Sequence, residues 1–270
     1  MKIVRGVFLG IIVLVAVAYF GAVAYMYFNQ RALQYSPTGE LTALDATRLT
    51  QAEEVIVPSG DEQVTAWYHP PAANMPVIVY YKGNAGSFTS EYERFEQWVA
   101  DGYGFVAFDY RGFPASPGVI SEVAILKDAI AVYDFAAAKG FPLVIWGWSL
   151  GTGPATYVAS QREAEALLLE TPFLSAVSVA HERYPILPTR WVMQDQFRSN
   201  EWIQEVEEPV LVAHGTGDRT IDVSNGERLY DLAPNPDELW IVPGAGHNQL
   251  WDSGIWAKAD AFFQRSLAAN

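Results

Sequence analysis

Six short runs in this chain are apolar from end to end or nearly so: Val77–Tyr81, Phe105–Asp109, Leu143–Trp146, Ala166–Leu169, Pro209–Ala213 and Leu239–Val242. Runs this short do not make core helices, and they lack the alternation of a strand with one wet face. They read as strands buried on both sides, which implies a mostly parallel sheet covered by helices. Helical patterns fill the intervals. Glu91–Asp101 puts Phe95, Trp98 and Val99 on one face, and Ser121–Lys139 carries Val123, Leu126, Ile130 and Tyr133 at helical spacing. Ser224–Leu232 and Ile255–Leu267 read as the last two helices. Two further β-rich runs, Glu54–Pro58 and Gln63–Tyr68, flank Ser59-Gly60-Asp61-Glu62 and predict an antiparallel hairpin ahead of the parallel part.

The N-terminus is of another kind. No charged residue occurs from Val7 to Phe28. Those residues, at about 1.5 Å each, reach roughly 33 Å, enough to cross a hydrocarbon core of about 30 Å. Tyr19, Phe20, Tyr25, Tyr27 and Phe28 crowd the distal end as an aromatic belt would. Lys2, Arg5 and the free amine precede the run, so the positive-inside rule puts the N-terminus in the cytoplasm and the rest of the chain across the membrane. The rival reading is a cleaved signal peptide, for which Ala22-Val23-Ala24 offers an A-x-A site. Against it, the apolar run outlasts an ordinary signal core and continues through Tyr25–Phe28. The organisation is then an anchor over 1–28, a tether over 29–50 and one α/β domain over 51–270. Residues 172–208, rich in proline and aromatics and too long for a plain connection, read as a helical cap.

Composition excludes several classes. Lys and Arg number 17 and Asp and Glu 31, so the formal charge of 17 − 31 = −14 repels nucleic acid. Half the residues are hydrophobic, which excludes a disordered polymer. There is no cysteine, hence no disulfide, thiolate metal site or cysteine nucleophile. The four histidines lack metal-ligand spacing, and neither a P-loop nor a dinucleotide fingerprint is present.

The chemistry falls on strand ends. Gly147-Trp148-Ser149-Leu150-Gly151 follows an apolar strand and opens a helix of small residues, the setting of a nucleophile elbow. Ser149 must sit on a tight turn to project its hydroxyl, and the flanking glycines let backbone pack around it. Serine needs a base, and His247 follows the last strand in Pro243-Gly244-Ala245-Gly246-His247. The base needs an acid, and Asp218 follows a strand in His214-Gly215-Thr216-Gly217-Asp218, with Asp222 as fallback. An oxyanion needs two donors: the backbone N–H of Leu150, and one from the Lys82-Gly83-Asn84-Ala85-Gly86 loop, where Asn84 is the choice. His214 reads as a structural residue of its loop, and His69 and His181 as surface or cap residues. Asp109-Tyr110-Arg111-Gly112 reads as structural, with Arg111 pairing an acidic neighbour.

With these motifs in place, the chain resembles the α/β-hydrolase superfamily, whose nucleophile–acid–base order is that of Ser149, Asp218 and His247. More narrowly it looks like a membrane-anchored branch that includes acyl-protein thioesterases and monoacylglycerol-lipase-like enzymes. That likeness lies in Gln30-Arg31-Ala32-Leu33-Gln34-Tyr35-Ser36-Pro37, Gly83-Asn84-Ala85-Gly86, Asp109-Tyr110-Arg111-Gly112 and Arg183-Tyr184-Pro185-Ile186-Leu187-Pro188. Two departures stand out. Lys82 replaces the usual histidine before the oxyanion-loop glycine, which is expected to change the electrostatics at the mouth of the site. Phe113-Pro114-Ala115-Ser116 replaces Tyr-Gly-x-Ser, which is expected to reshape that loop.

The resemblance implies a membrane-anchored serine hydrolase of acyl esters or thioesters that needs no cofactor. Its partners would be a lipid or acylated substrate and the membrane, not nucleic acid. An apolar cap (Phe173, Leu174, Tyr184, Ile186, Leu187, Trp191) suits an acyl chain. A peptidase or amidase of the same fold, and a non-catalytic tethered binding module, are the alternatives.

Overall fold

All the apolar runs are strands of one sheet in the computed structural model, which describes residues 2–269. In chain order the strands are β1 (Glu53–Ser59), β2 (Glu62–His69), β3 (Val77–Tyr81), β4 (Gly104–Phe108), β5 (Leu143–Trp148), β6 (Ala166–Glu170), β7 (Val210–Gly215) and β8 (Pro236–Val242). They lie side by side as β1-β2-β4-β3-β5-β6-β7-β8. The hairpin β1–β2 is antiparallel and β2 joins β4 antiparallel; every later pairing is parallel.

The helices are α1 (Lys2–Gln34), α2 (Tyr92–Ala100), α3 (Glu122–Ala137), α4 (Thr152–Ala159), α5 (Ala176–Arg183), α6 (Thr189–Val192), α7 (Ser199–Trp202), α8 (Val223–Leu232) and α9 (Ile255–Ala269). Successive strand residues point to opposite faces, so the continuous apolar runs feed two cores. Val79, Tyr81, Ile145 and Leu169 pack toward α3, α4 and α8. Ile78, Tyr80, Trp146 and Leu168 pack with Phe95 and Trp98 of α2 and Phe262 and Phe263 of α9. Helix α3 is turned from its expected face: Ile125, Ala129, Val132 and Ala136 are buried, whereas Val123 is exposed. Asp128, also on the inner face, accepts from the Arg111 guanidinium and from the Arg111 N–H at 3.0 Å. Arg111 also donates to Ser59 Oγ at 3.0 Å, so it ties β1 to α3 as a structural residue.

Three expectations are corrected. Residues 29–34 belong to α1 rather than to a tether, and Tyr35 and Leu49 beyond it are buried. His69 is buried in β2, stacked on Phe105, because its strand lies inside the sheet. Lys82 is wholly buried: its ammonium donates to the Gly83 carbonyl at 2.9 Å and lies 4.0 Å from the centre of the Phe113 ring. It therefore does not face the mouth of the site. The departure Phe113-Pro114-Ala115-Ser116 forms a closed turn in which Ser116 Oγ accepts from Thr65 N–H at 2.9 Å.

Candidate active site

A parallel sheet aligns the carboxyl ends of its strands along one edge, and loops leaving that edge can converge. The four that matter leave β3, β5, β7 and β8.

After β5 the chain turns through Ser149–Gly151 into α4, and Ser149 holds φ = +51°. A non-glycine residue in that region is strained, and the strain persists because the surroundings leave no alternative. Those surroundings need both glycines. A Cβ at Gly147 would lie 2.6 Å from the Gly151 oxygen and 2.6 Å from the Ala155 Cβ. The Thr152 hydroxyl donates to the Ser149 carbonyl at 2.7 Å and fastens the turn.

Ser149 Oγ lies 2.8 Å from His247 Nε2, and His247 Nδ1 lies 2.7 Å from Asp218 Oδ2. A carboxylate only accepts, so it fixes the proton on Nδ1 and leaves Nε2 to accept from the serine hydroxyl. The loops carrying acid and base pack backbone to backbone: Gly217 N–H donates to the Ala245 carbonyl at 2.9 Å. Burial alone would raise the Asp218 carboxyl. Hydrogen bonds from His214, His247 and the Ile221 N–H outweigh burial and hold it well below the usual carboxylate range. Its other oxygen accepts from the N–H groups of Thr220 and Ile221 at 2.8 and 3.0 Å.

His214 Nε2 lies 3.0 Å from the Ile221 carbonyl and 3.2 Å from Asp218 Oδ2, so it braces the acid from behind. Asp222, the fallback acid, instead caps α8 by accepting from Ser224 N–H at 3.0 Å. His181 lies exposed on α5.

Asn84, Ser149 and Leu150 together line one cavity of about 340 Å³. Leu150 is in the first turn of the helical segment, where backbone N–H groups lack intrahelical acceptors. The Asn84 loop is seated on the segment after α1: Asn84 O accepts from Ser36 N–H, and Ser36 O from Gly86 N–H, both at 3.3 Å. Phe173, Val179, Tyr184, Leu187 and Val192 form the apolar cap side of the cavity. Of the other cap residues expected there, Leu174 is buried in the core, while Ile186 and Trp191 are 78% and 89% exposed.

Two features escape a sequence reading. The first is a further wall of the cavity, made by Val23, Met26, Gln30, Leu33 and Gln34 of α1. The second is Arg94. It is buried, pairs with Glu170 at 2.7 Å, and lies 4.6 Å from the Trp251 ring and 5.5 Å from the Trp148 ring. It so links the end of β6 to the residue before the nucleophile and to the segment after His247. Nothing but its place on a helix otherwise facing the core marked it. Among the described residues no group of acidic and histidine side chains has the arrangement of a metal site.

No family model matches the chain. An uncharacterised protein of Mycobacterium tuberculosis, Rv2307c, is 31% identical over 260 residues, covering 93% of this chain and 92% of that protein. The rat lysophosphatidylserine lipase ABHD12 is 33% identical over 192 residues; the match covers 62% of this chain and 48% of that longer protein. Among solved structures the Pyrococcus furiosus esterase Pf2001 superposes with a TM-score of 0.69 at 16% identity, over 87% of this chain and 98% of that one. The chain belongs to the α/β-hydrolase superfamily and is a hydrolase, with a lysophosphatidylserine lipase among the proteins whose sequence it resembles.

Proposed function

We propose that the chain is a membrane-anchored serine hydrolase that cleaves acyl esters or thioesters. The observation that carries this reading is the unbroken Ser149–His247–Asp218 relay, at 2.8 and 2.7 Å, opening onto an apolar cavity. Ser149 Oγ attacks the acyl carbonyl while His247 Nε2 takes its proton. The Leu150 and Asn84 N–H groups stabilise the resulting oxyanion. As the intermediate collapses, His247 returns the proton to the departing alcohol or thiol. Water, deprotonated by His247, then attacks the acyl-enzyme; the acid leaves and Ser149 regains its proton. Asp218 holds the imidazole in place and stabilises its charged form throughout.

The anchor reading rests on α1, which is long and apolar enough to cross a membrane, its most apolar 18-residue window having a mean hydropathy of 2.7. Its role in the fold supports retention over cleavage. Cutting after Ala24 would remove Val23 from the cavity wall and Tyr19, whose hydroxyl donates to the Ile186 carbonyl at 3.1 Å. Lys2 and Arg5 favour a cytoplasmic N-terminus with the hydrolase domain on the other side. The relative named a lysophosphatidylserine lipase supports an ester bond and a lipid-like substrate.

The test is labelling of the full-length protein by a fluorophosphonate, with Ser149→Ala and His247→Ala beside it. Labelling is expected in the wild type and lost in both variants, with hydrolysis of nitrophenyl esters following the same pattern. A well-folded wild type that neither labels nor hydrolyses would overturn the reading. Protease digestion of intact cells or spheroplasts tests the topology: the domain is expected to be cut from outside.

A further inference from the structure

Helix α1 is built into the catalytic domain rather than merely leading to it. Ala16, Tyr19, Val23, Met26, Gln30 and Gln34 recur every three or four residues and, with Asn29 and Arg31 beside them, are the partly or fully covered positions among the described residues of an otherwise exposed helix. The lower turns of this stripe are locked to residues 192–195 behind α6. Arg31 grips Asp195 with two bonds of 2.9 and 3.3 Å, and the Tyr35 hydroxyl donates to the same carboxylate at 2.9 Å. Gln30 accepts from Gln194 N–H at 2.7 Å and donates to the Val192 carbonyl at 3.2 Å. The cavity wall formed by α1 is therefore rigidly placed.

The upper turns place the cap beside the apolar run. Tyr19 precedes Phe28, the end of that run, by nine residues, roughly 13 Å along the helix axis. The Tyr19 hydroxyl meets the carbonyl of Ile186, whose side chain is exposed. Trp191, five residues on, is still more exposed. A protein of net charge −14 that presents an exposed isoleucine beside its apolar helix, and an exposed tryptophan five residues on, has an edge suited to lipid rather than water.

We propose that the cap edge at Ile186 and Trp191 is inserted in the bilayer that α1 crosses, and that the cavity takes the acyl chain of a membrane-resident ester sideways from that bilayer, against Val23, Met26 and Leu33. The proposal rests on the ester-hydrolase reading of Ser149. It makes α1 a specificity element: the chain length accepted depends on side chains of the anchor. Lipid reaches Ser149 without first leaving the membrane.

The absence of cysteine permits a clean test of insertion. Ile186→Cys and, on the β1–β2 turn far along the chain from the cap, Asp61→Cys are labelled with a nitrobenzoxadiazole dye in full-length protein. Both are reconstituted into phosphatidylcholine vesicles with and without brominated acyl chains. Quenching is expected at position 186 and not at 61; equal, weak quenching at both overturns insertion. In the same vesicles, the profile of kcat/KM against acyl length is measured for Val23→Trp, Met26→Ala and the control Val13→Trp, which is exposed on α1 and lies outside the cavity wall. The ratio of dodecanoyl to acetyl ester hydrolysis is expected to fall about tenfold in Val23→Trp. The optimum should move to longer chains in Met26→Ala, and the control should match the wild type. Profiles within twofold of wild type in both cavity variants overturn the role of α1. Failure of the wild type to react with fluorophosphonate would instead defeat the ester-hydrolase reading and with it the acyl occupant, while the quenching result still decides insertion.

Discussion

A Cβ at Gly151 would stand 1.9 Å from the carbonyl oxygen of Tyr81. Gly151 lies in the nucleophile turn after β5 and Tyr81 ends β3 where the oxyanion loop begins, and the two touch because position 151 has no side chain. Gly151→Ala is therefore expected to push these loops apart. Fluorophosphonate labelling of Ser149 should slow by about 100-fold, the order that a 1 Å misplacement costs. The measurement is the labelling rate alongside a thermal melt; a wild-type rate in a folded variant would show that the turn yields without consequence.

Two nearby aspartates should separate cleanly. Asp218→Asn keeps the shape but loses the acceptor that sets the tautomer of His247, and kcat is expected to drop by about 10⁴. Asp222→Ala removes only the cap of α8 and is expected to cost about 1 kcal/mol of stability with kcat within about twofold of wild type. Steady-state ester hydrolysis and urea unfolding of both variants check this pair.

Lys82 gives the folded protein an alkaline signature. Burial pushes its ammonium from the ordinary 10.5 down to about 8, against the attraction of Asp109 and Glu91. The unfolded chain thus holds more protons than the folded one between those two values, so this group makes stability rise with pH from about 8 to 10.5. Below that window both states carry the proton and the penalty is full and constant. The rise is on the order of 3 kcal/mol. Urea midpoints across this range should show it in the wild type relative to Lys82→Met, in which it is expected to vanish.

Asp195 and Arg31 should be unequal partners. Asp195 is nearly inaccessible, while the Arg31 side chain is 41% exposed. Losing the carboxylate strands the buried Tyr35 hydroxyl and removes the Arg31 bonds from α1, so Asp195→Ala is expected to cost about 1–3 kcal/mol. Arg31→Ala leaves the tyrosine bond to hold the carboxylate, and at a half-wet site is expected to cost about 1 kcal/mol or less. Thermal unfolding in detergent, read with proteolysis of the cap, distinguishes the two.

Much of this molecule was legible before any coordinates. The runs Val77–Tyr81, Leu143–Trp146 and Ala166–Leu169 announce themselves because a strand buried on both faces leaves little room for polar residues. Ser149, Asp218 and His247 each sit in a glycine-containing loop just past a strand, which marks them as a set. Helix α3 was harder. Val123 fits the apolar spacing yet is exposed, while Asp128 fits the inner face because Arg111 meets it there, and spacing alone does not say where a charge will find its partner.

The chain by itself determined the sheet, the covering helices, the order of the three site residues and the uncharged run Val7–Phe28 near the N-terminus, because periodicity and strand-end motifs are local. Tertiary structure decided what no local pattern encodes. It brought Ser149, His247 and Asp218 within hydrogen-bond reach, sent Asp222 to a helix cap, and buried Lys82 behind the oxyanion loop. It also turned Val23 and Met26 of α1 into a wall of the cavity. That face could not be seen in advance because a helix apolar on every side has no amphipathic stripe to betray which side will be used.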